Sequence, residues 1–294
     1  MSLRLEMLQV ARLARLHLRE SASLVVEFVR RNQNQGWGFK DRDGKSDLYY
    51  TVFGLDALHA LQAELPAQAV TAYLHSFESG ESLDFVHLAC LARCWAALPG
   101  GFPPPSVRQT ILERIEGYRS QDGGYQERPD APHGSSYGCF LAVGAYQDLD
   151  SQAPCPNEVV SCIQNLRAKD GGFANQPSLE TGSTPATAAA VTVLRQLNAP
   201  VPAGVSEWLL SRSCAAGGFF AGPGAPMPDL LSTATALHAL AGLQARFEHL
   251  REPCLDFVDT LWSSQGSFYG SWADTALDCE YAFYGLLALG HLSY

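Results

Sequence analysis

Glycine-containing turns that end in an aromatic residue recur along this chain at an almost constant interval. The clearest reads DGGF at residues 170–173. Turns of this kind, spaced 48, 46 and 48 positions apart, occur at Gly123, Gly171, Gly217 and Gln265. A period of about 20–50 residues is typical of stacked supersecondary units that share one core. We therefore expect a repeat protein.

Two further observations extend the series to six units. Gly38 precedes Gly123 by 85 positions, which is room for two units. The second unit is degenerate, because the region around residues 77–98 keeps an apolar helix but has lost the glycine turn. We predict one domain over residues 1–294, with an N-terminal helix over residues 1–20 and six repeats over residues 21–294.

The stretch 169–197 shows the local structure expected of one unit. Gly171 tolerates the positive φ that ends a helix. After a polar loop, Ser183 or Thr184 can cap a second helix that has Pro185 in its first turn. Apolar residues of this helix recur at the helical period: Ala186, Ala189, Ala190, Val193, Leu194 and Leu197.

The second helix of each unit is more apolar than the first, as in ATAAAVTVLRQL compared with VVSCIQNLRA. A helix that is apolar on nearly all sides belongs in the interior. We therefore predict an inner ring of second helices and an outer ring of amphipathic first helices. Six pairs without a charged capping repeat favour a closed ring. The predicted fold is all-α, an (α/α)6 toroid.

Residues 1–19 are expected to form an amphipathic helix with a basic outer face. A solvated face on a packing helix is favoured over a membrane-binding surface. The residues expected to face inward are Leu5, Leu8, Ala11 and Leu16, and those expected outside are Arg4, Arg12, Arg15 and Arg19.

The bulk composition excludes several classes of protein. Hydrophobic residues make up 47% of the chain and charged residues 17%, which is typical of a globular protein. The net charge of -10 opposes binding to nucleic acid or anionic lipid. The eight cysteines are scattered and no leader is recognisable, so we expect a reduced, cytoplasmic protein. No apolar run is long enough to predict a membrane span.

The repeats resemble those shared by protein prenyltransferase β subunits and by squalene and other terpene cyclases. The shared pattern is QxxDGGF, a loop, a helix start rich in serine and threonine, and an alanine-rich helix. The segment QNQGW at residues 33–37 is also similar to the glutamine–tryptophan motif of the cyclases. The resemblance covers about residues 21–294. It implies an α/α toroid with a central cavity for an isoprenoid, and a possible helical partner chain, since protein prenyltransferases are heterodimers.

The zinc site of the prenyltransferases is only partly matched. Their DxCY stretch resembles residues 278–281, where Asp278 and Tyr281 match but Glu280 stands at the position of the metal-binding cysteine. Cys279 is one residue out of register, which turns its side chain by about 100° on a helix. We expect no cofactor; zinc stays a weak alternative, with Asp278, Cys279 and Glu280 as its candidate ligands.

Two other family sites are also incomplete. The arginine and lysine that hold the diphosphate would fall on Trp272 and Thr275. The acidic DxDD motif of class II cyclases aligns with PDLLSTA at residues 228–234, where Asp229 is kept and the proton-donating position is Leu231. Asp229 and Asp278 are the candidate catalytic acids.

The starts of the second helices offer a further set of candidates, which would meet at one mouth of a ring. Aspartate at these positions has a structural explanation, because it caps helices and complements their dipoles. The functional alternative is that the residue one turn further projects into the cavity. The six second helices begin with the patterns Asp47-x-x-Tyr50, Asp84-x-x-His87, Gly134-x-x-Tyr137, Ser183-x-x-Ala186, Asp229-x-x-Ser232 and Asp278-x-x-Tyr281.

Tyr50, His87, Tyr137, Glu280 and Tyr281 are therefore the candidate ligand-binding residues of the cavity. Aromatic side chains of this kind suit an isoprenoid chain, and their rings can stabilise a carbocation.

Two other groups of residues are expected to be structural. The residues His59, His238 and His291 lie at matching late positions of three inner helices, and a packing role is favoured over a metal site. The stretch DRDGK at residues 41–45 is interpreted as a polar turn.

The leading hypothesis is a prenyltransferase-like or terpene-cyclase-like toroid that binds an isoprenoid or similar apolar ligand. The residues leave open whether it is an enzyme; if so, the resemblance implies a transferase of prenyl groups. Two alternatives are a non-catalytic toroid that recognises a protein partner and a carbohydrate-processing α/α barrel with paired acids such as Asp229 and Asp278.

Overall fold

Fourteen α-helices and six two-residue strands make up the computed structural model, which describes residues 1–35 and 38–293. Short 3-10 helices lie at Arg12–Ala14, Arg19–Ser21 and Glu248–Leu250. In chain order the α-helices are α1 (Leu3–Ala11), α2 (Arg15–Leu18), α3 (Ala22–Arg31), α4 (Leu48–Ala60), α5 (Ala67–His75), α6 (Phe85–Ala97), α7 (Pro105–Glu116), α8 (Ser136–Asp148), α9 (Pro156–Asn165), α10 (Thr184–Gln196), α11 (Val205–Leu210), α12 (Leu230–Gly242), α13 (Arg251–Thr260) and α14 (Cys279–His291).

The even-numbered helices from α4 to α14 form a closed inner ring. Each has 13 residues. Each packs against the next one, and α14 packs against α4. The odd-numbered helices from α3 to α13 pack against the outside of this ring. The predicted α/α toroid is therefore confirmed, and the structure shows the ring closure that the sequence alone did not establish.

Three short antiparallel hairpins lie between outer and inner helices. Two of them place the aromatic residue of a glycine turn opposite the residue that caps an inner helix: Phe39 pairs with Asp47, and Phe219 pairs with Asp229. In the third, Phe268 pairs with Trp262. The strands are β1 (Phe39–Lys40) with β2 (Ser46–Asp47), β3 (Phe219–Phe220) with β4 (Pro228–Asp229), and β5 (Trp262–Ser263) with β6 (Ser267–Phe268).

The aromatic residue after each glycine turn is buried against an inner helix. In three units its backbone N–H also donates a hydrogen bond to a threonine hydroxyl in that helix. The turn itself requires glycine, since Gly171 has a φ of 96°. The donor and acceptor pairs are Phe39 with Thr51 at 2.9 Å, Phe173 with Thr187 at 2.8 Å, and Phe219 with Thr233 at 2.9 Å.

Helix α1 closes the end of the ring where the inner helices finish. The backbone N–H of Leu3 donates to the Gln147 side chain at 2.9 Å, and Arg4 donates to the carbonyl of Ala96 at 2.8 Å. Glu6 accepts from Arg195 at 2.8 Å. These partners stand at the ends of α6, α8 and α10, so α1 forms the floor of the ring.

The predicted orientation of this N-terminal segment is partly wrong. Leu8 and Ala11 are buried as expected, but Leu5 and Leu16 are 44% and 62% exposed. Arg4, predicted to lie outside, is only 9% exposed. Its guanidinium lies 3.7 Å from Asp56 and 3.4 Å from Asp148. The sequence pattern missed this because both partners are distant in sequence.

Three further expectations concern the chain as a whole. All eight cysteines are free thiols. Within the two described stretches of the chain, none of the helices combines the length and the apolar character needed to cross a membrane. Gly36 and Trp37, which belong to the glutamine–tryptophan motif, lie outside the described residues.

We predict that Arg4→Met destabilises the protein by about 3 kcal/mol, because it leaves the buried carboxylate of Asp148 without its nearest cation. Urea unfolding measures the free energy change. Arg12→Met is the control, since Arg12 is exposed in the same N-terminal segment and its loss should change stability by less than about 0.5 kcal/mol. Equal effects of the two substitutions would show that the buried ion pair does not hold the floor in place.

Candidate functional site

The six inner helices begin at one end of the ring, and each begins with a side-chain cap. A side-chain oxygen of the capping residue accepts a hydrogen bond from a backbone N–H about one turn into the helix. For example, the Asp84 carboxylate accepts from the His87 N–H at 2.9 Å, and the Asp229 carboxylate accepts from the Ser232 N–H at 2.7 Å. The six caps are Asp47, Asp84, Ser135, Ser183, Asp229 and Asp278.

The caps determine which side chains face the interior of the ring. The second residue of the helix lines a central cavity in five of the six inner helices. The cavity has a volume of about 460 Å³. Deeper positions of the same helices contribute mainly apolar side chains, among them Phe53, Phe140, Ala189 and Leu287. The cavity-lining second residues of the inner helices are Tyr49, Tyr137, Pro185, Leu231 and Glu280.

Two of the predicted cavity residues, Tyr137 and Glu280, line this cavity. Tyr50 and His87 instead line a separate pocket of about 390 Å³ at the mouth. Tyr281 also lies at the mouth, where the guanidinium carbon of Arg42 is 5.6 Å from its ring centroid.

The difference follows from the helical period. Tyr50, His87 and Tyr281 are third residues of their helices, and one position turns a side chain by about 100°. The sequence pattern counted from Gly134, but the cap of α8 is Ser135. Tyr137 is therefore the second residue of α8, and its side chain faces inward. Counting two positions from each capping residue would have found Tyr49, which the sequence analysis missed.

A carboxyl group stands in the wall of the cavity near the mouth. The Tyr49 hydroxyl donates to Oε1 of Glu280 at 2.6 Å. Burial raises the pKa of Glu280 to about 7, although the hydrogen bond from Tyr49 opposes this rise. This side chain can therefore exchange a proton near neutral pH.

The floor of the cavity contains charged groups that are paired with one another. Arg93 donates to Oδ2 of Asp56 at 3.0 Å and 2.6 Å. Arg4 and Asp148 complete the group, and burial raises the pKa of Asp148 to about 6 against the opposing effect of Arg93 and Arg4. Both arginines that line the cavity are thus neutralised by carboxylates.

The mouth is predominantly acidic. Arg42, in the polar turn at residues 41–45, bridges the first and last units through contacts of 2.9 Å to both Asp274 and Asp278. His87 lies between Asp47 at 3.1 Å and Asp84 at 2.8 Å. The hydrogen bond to Asp47 is the main cause that raises the pKa of His87 to about 9, so the imidazole is protonated at neutral pH.

The candidate zinc ligands point in three directions. Asp278 faces Arg42, Cys279 is buried in the core, and Glu280 faces the cavity. Burial raises the pKa of the Cys279 thiol, which disfavours the thiolate that a metal requires. Among residues 1–35 and 38–293, no three His, Cys, Asp or Glu side chains are placed to hold a metal ion.

The two candidate catalytic acids, Asp229 and Asp278, serve as helix caps. Both oxygens of Asp229 are occupied, because Oδ1 accepts from the Ser232 N–H and Oδ2 accepts from its hydroxyl at 2.8 Å. Burial raises the pKa of Asp229 and of Asp278. Leu231, which aligns with the proton-donating position of class II cyclases, lines the cavity in α12.

The late histidines of the inner helices have packing contacts, as the sequence suggested. A ring nitrogen of His59 contacts the carbonyl of Ala97 at 2.6 Å. His238 and His291 contact each other through ring nitrogens 3.1 Å apart. His238 in addition lines the cavity, which its position in the sequence did not indicate.

The chain belongs to the prenyltransferase alpha-alpha toroid domain family, whose model matches residues 6–90, 105–222 and 186–292. This confirms the resemblance stated from the repeats. No curated protein sequence matches the chain significantly.

Several solved structures share the fold. A variant of the type II terpene cyclase MstE from Scytonema, in complex with merosterolic acid A (product), has a TM-score of 0.61 at 13% identity over 96% of this chain and 97% of that chain. A second MstE variant, in complex with geranylgeranyl dihydroxybenzoate (substrate), has a TM-score of 0.57 at 14% identity and covers 95% and 97%. A protein from Actinoplanes has a TM-score of 0.58 at 16% identity and covers 93% and 98%.

The raised pKa of Glu280 predicts a pH-dependent effect of Glu280→Gln on stability. In the unfolded chain this carboxyl ionises near pH 4.5, and in the folded protein near pH 7. Its ionisation therefore destabilises the fold as the pH rises from about 5 to 7, by on the order of 3 kcal/mol at pH 8. The glutamine variant should be more stable than the unaltered protein at pH 8 and equally stable at pH 5.

Urea unfolding at several pH values measures this difference. Glu20→Gln, at an exposed position, is the control and should leave the pH profile unchanged. Parallel profiles for Glu280→Gln and the unaltered protein would mean that the Glu280 carboxyl ionises normally.

Proposed function

We propose that this protein binds an isoprenoid chain in its central cavity. The observation that carries the proposal is the wall of the cavity, in which tyrosine, phenylalanine, leucine and alanine side chains surround a volume of about 460 Å³. Small-molecule pockets are typically about 300–1,000 Å³ and mainly apolar. Each buried CH₂ group of an isoprenoid contributes about 0.8 kcal/mol. The membership of the family supports the same ligand class.

The charges favour a ligand without a diphosphate group. Arg4 and Arg93 are already paired with Asp56 and Asp148. Trp272 stands where the family pattern has a diphosphate-binding arginine, and its indole N–H donates to Thr260 of the outer helix α13 at 2.8 Å. The acidic residues around Arg42 and His87 would repel an anionic head group. Transfer of a prenyl group from a diphosphate is accordingly less well supported than binding of an uncharged isoprenoid.

Cyclisation started by protonation of an alkene is also poorly supported. The cavity carboxyl of Glu280 has its pKa raised to about 7, whereas an alkene requires a strong acid. This leaves Glu280 as a hydrogen-bonding or proton-exchanging group beside the ligand. The geranylgeranyl chain in the MstE substrate supports an isoprenoid ligand, while its dihydroxybenzoate part supports a head group other than diphosphate.

Gly144 allows a direct test of where the ligand binds. It lines the cavity within α8, and a Cβ atom there would have no other atom within 4 Å. Replacing glycine in a helix interior stabilises the helix by about 0.5–1 kcal/mol. We expect the affinity for farnesol to fall in the order unaltered protein, Gly144→Ala, Gly144→Leu, with no loss of thermal stability in either variant.

Calorimetric titration with farnesol, together with thermal unfolding, measures both quantities. The loss in Gly144→Leu should be at least about tenfold, since the leucine side chain fills the space of several ligand carbons. Undiminished affinity in this variant would place the ligand elsewhere, and the absence of any farnesol binding would contradict the proposal. We also expect farnesyl diphosphate to bind more weakly than farnesol. Tighter binding of the diphosphate would contradict the argument that the acidic residues at the mouth repel an anionic head group.

A further inference from the structure

A carboxyl group stands in the wall of the cavity without a cation of its own. Oε1 of Glu280 accepts from the Tyr49 hydroxyl, whereas Oε2 makes no hydrogen bond or ion pair within the described part of the chain. Oε2 is not among the unbonded atoms that the protein encloses, so it keeps surface accessible from the cavity that Glu280 lines. Arg42, the cation that acts on this carboxyl, is bonded to Asp274 and Asp278 at 2.9 Å.

Aromatic rings surround the cavity beside this carboxyl group. The ring centroids of Tyr49 and Phe53 are 4.9 Å apart, and those of Phe53 and Tyr284 are 5.4 Å apart. All three side chains line the cavity, as does Tyr137. Burial raises the pKa of Tyr49 and of Tyr284, so both hydroxyls stay uncharged. Because the face of an aromatic ring attracts cations, a carboxylate among such rings is suited to an ammonium group.

The approach to this site is acidic. The mouth pocket adjoins the cavity, since Tyr49 lines both. The two cations of the pocket are engaged by carboxylates, Arg42 by Asp274 and Asp278 and His87 by Asp47 and Asp84. The whole chain has a net charge of -10, which favours the approach of a cation and opposes that of an anion. The charged residues that line the mouth pocket are Asp41, Arg42, Asp43, Asp47 and His87.

We propose that the ligand carries a protonated amine, which forms an ion pair with Glu280 at the mouth end of the cavity. The inference rests on the proposed function and narrows its ligand class to isoprenoids that have an amine at one end. The apolar chain enters first and extends toward the floor along Phe53 and Phe140. The ammonium group stays between the Glu280 carboxylate and the aromatic rings.

Formation of this ion pair changes the ionisation of Glu280. In the free protein the pKa of this carboxyl is about 7, because burial disfavours its charged form. A neighbouring ammonium group favours the carboxylate. Binding below about pH 7 therefore releases the carboxyl proton to the solvent, while the amine keeps its own proton. The affinity for an amine should consequently increase as the pH rises from about 5.5 to 8.

The other ionisable groups near Glu280 do not produce this pH dependence. The tyrosines stay uncharged over the range, and Arg42 stays charged. Asp274 is ionised, since Arg42 and backbone hydrogen bonds lower its pKa despite partial burial. The groups that interact with Glu280 are Tyr49 and Tyr50 of α4, Tyr137 of α8, Tyr281 and Tyr284 of α14, and Arg42, Asp274 and Asp278 at the mouth, while Asp229 of α12 acts on the adjoining Tyr281.

Three probes with the same carbon skeleton isolate the effect of the head-group charge: farnesylamine, farnesol and farnesoic acid. At pH 8 we expect farnesylamine to bind about tenfold more tightly than farnesol, as for a charge-assisted hydrogen bond. Farnesoic acid should bind more weakly than farnesol. Calorimetric titration measures the three affinities. An amine that binds no more tightly than the alcohol, or an acid that binds more tightly, would overturn the inference.

Two carboxyl substitutions test where the amine binds. In Glu280→Gln the ratio of the farnesylamine and farnesol affinities at pH 8 should fall about tenfold and lose its dependence on pH. Asp43→Asn is the matched control, because Asp43 is exposed and lines the mouth pocket. Its loss should change the ratio by less than about threefold. A ratio that falls in Asp43→Asn and not in Glu280→Gln would place the amine in the mouth pocket and contradict the inference.

Proton release by the unaltered protein gives an answer that does not depend on a variant folding correctly. Titrations at pH 6 in two buffers with different ionisation enthalpies measure it. Binding of farnesylamine should release most of one proton, and binding of farnesol should release none. The absence of release with farnesylamine would contradict the inference. So would a release that persists in Glu280→Gln, because the proton would then come from the amine.

The outcomes distinguish this inference from the proposed function. If farnesol binds and farnesylamine binds no more tightly, the inference fails while isoprenoid binding stands. If none of the three probes binds, both fail.

Discussion

The capping of the six inner helices is the constraint on which the rest of the structure depends. Each cap fixes where its helix begins and, through the helical period, which side chains face the centre of the ring. The same segments connect to the glycine turns, since Phe39 and Phe219 pair with the capping residues Asp47 and Asp229 in short hairpins. A single local arrangement, repeated around the ring, thus produces both the fold and the lining of its cavity.

Different ion pairs hold the protein together at the two ends of the ring. At the mouth, Arg42 connects the first and last units through Asp274 and Asp278, so the charge that secures ring closure is no longer available to an anionic ligand. At the floor, the guanidinium of Arg4 in α1 lies 3.7 Å from Asp56 of α4 and 3.4 Å from Asp148 of α8. The charged groups described at the two ends are therefore paired with one another, and the apolar wall is left for a ligand.

The repeats made the toroid predictable from the sequence, because glycine turns and alanine-rich helices are local signals of period and burial. The site was less predictable. Residues one turn after each aspartate were assigned to the cavity, but one position of register moves a side chain by about 100°, and Tyr50 and His87 lie at the mouth instead. Tyr137 and Glu280 do line the cavity. The burial of Arg4 and the contact between His238 and His291 depend on the packing of distant helices, which no local pattern contains.

The central claim is that an isoprenoid lies inside the ring, between the level of Glu280 and that of His238. A crystal structure of the protein with farnesol tests it most directly. The account predicts continuous density for the farnesol chain inside the cavity, along Tyr49 and Phe53. Farnesol bound at the mouth pocket or on the outer surface, with the cavity filled by water, would contradict it.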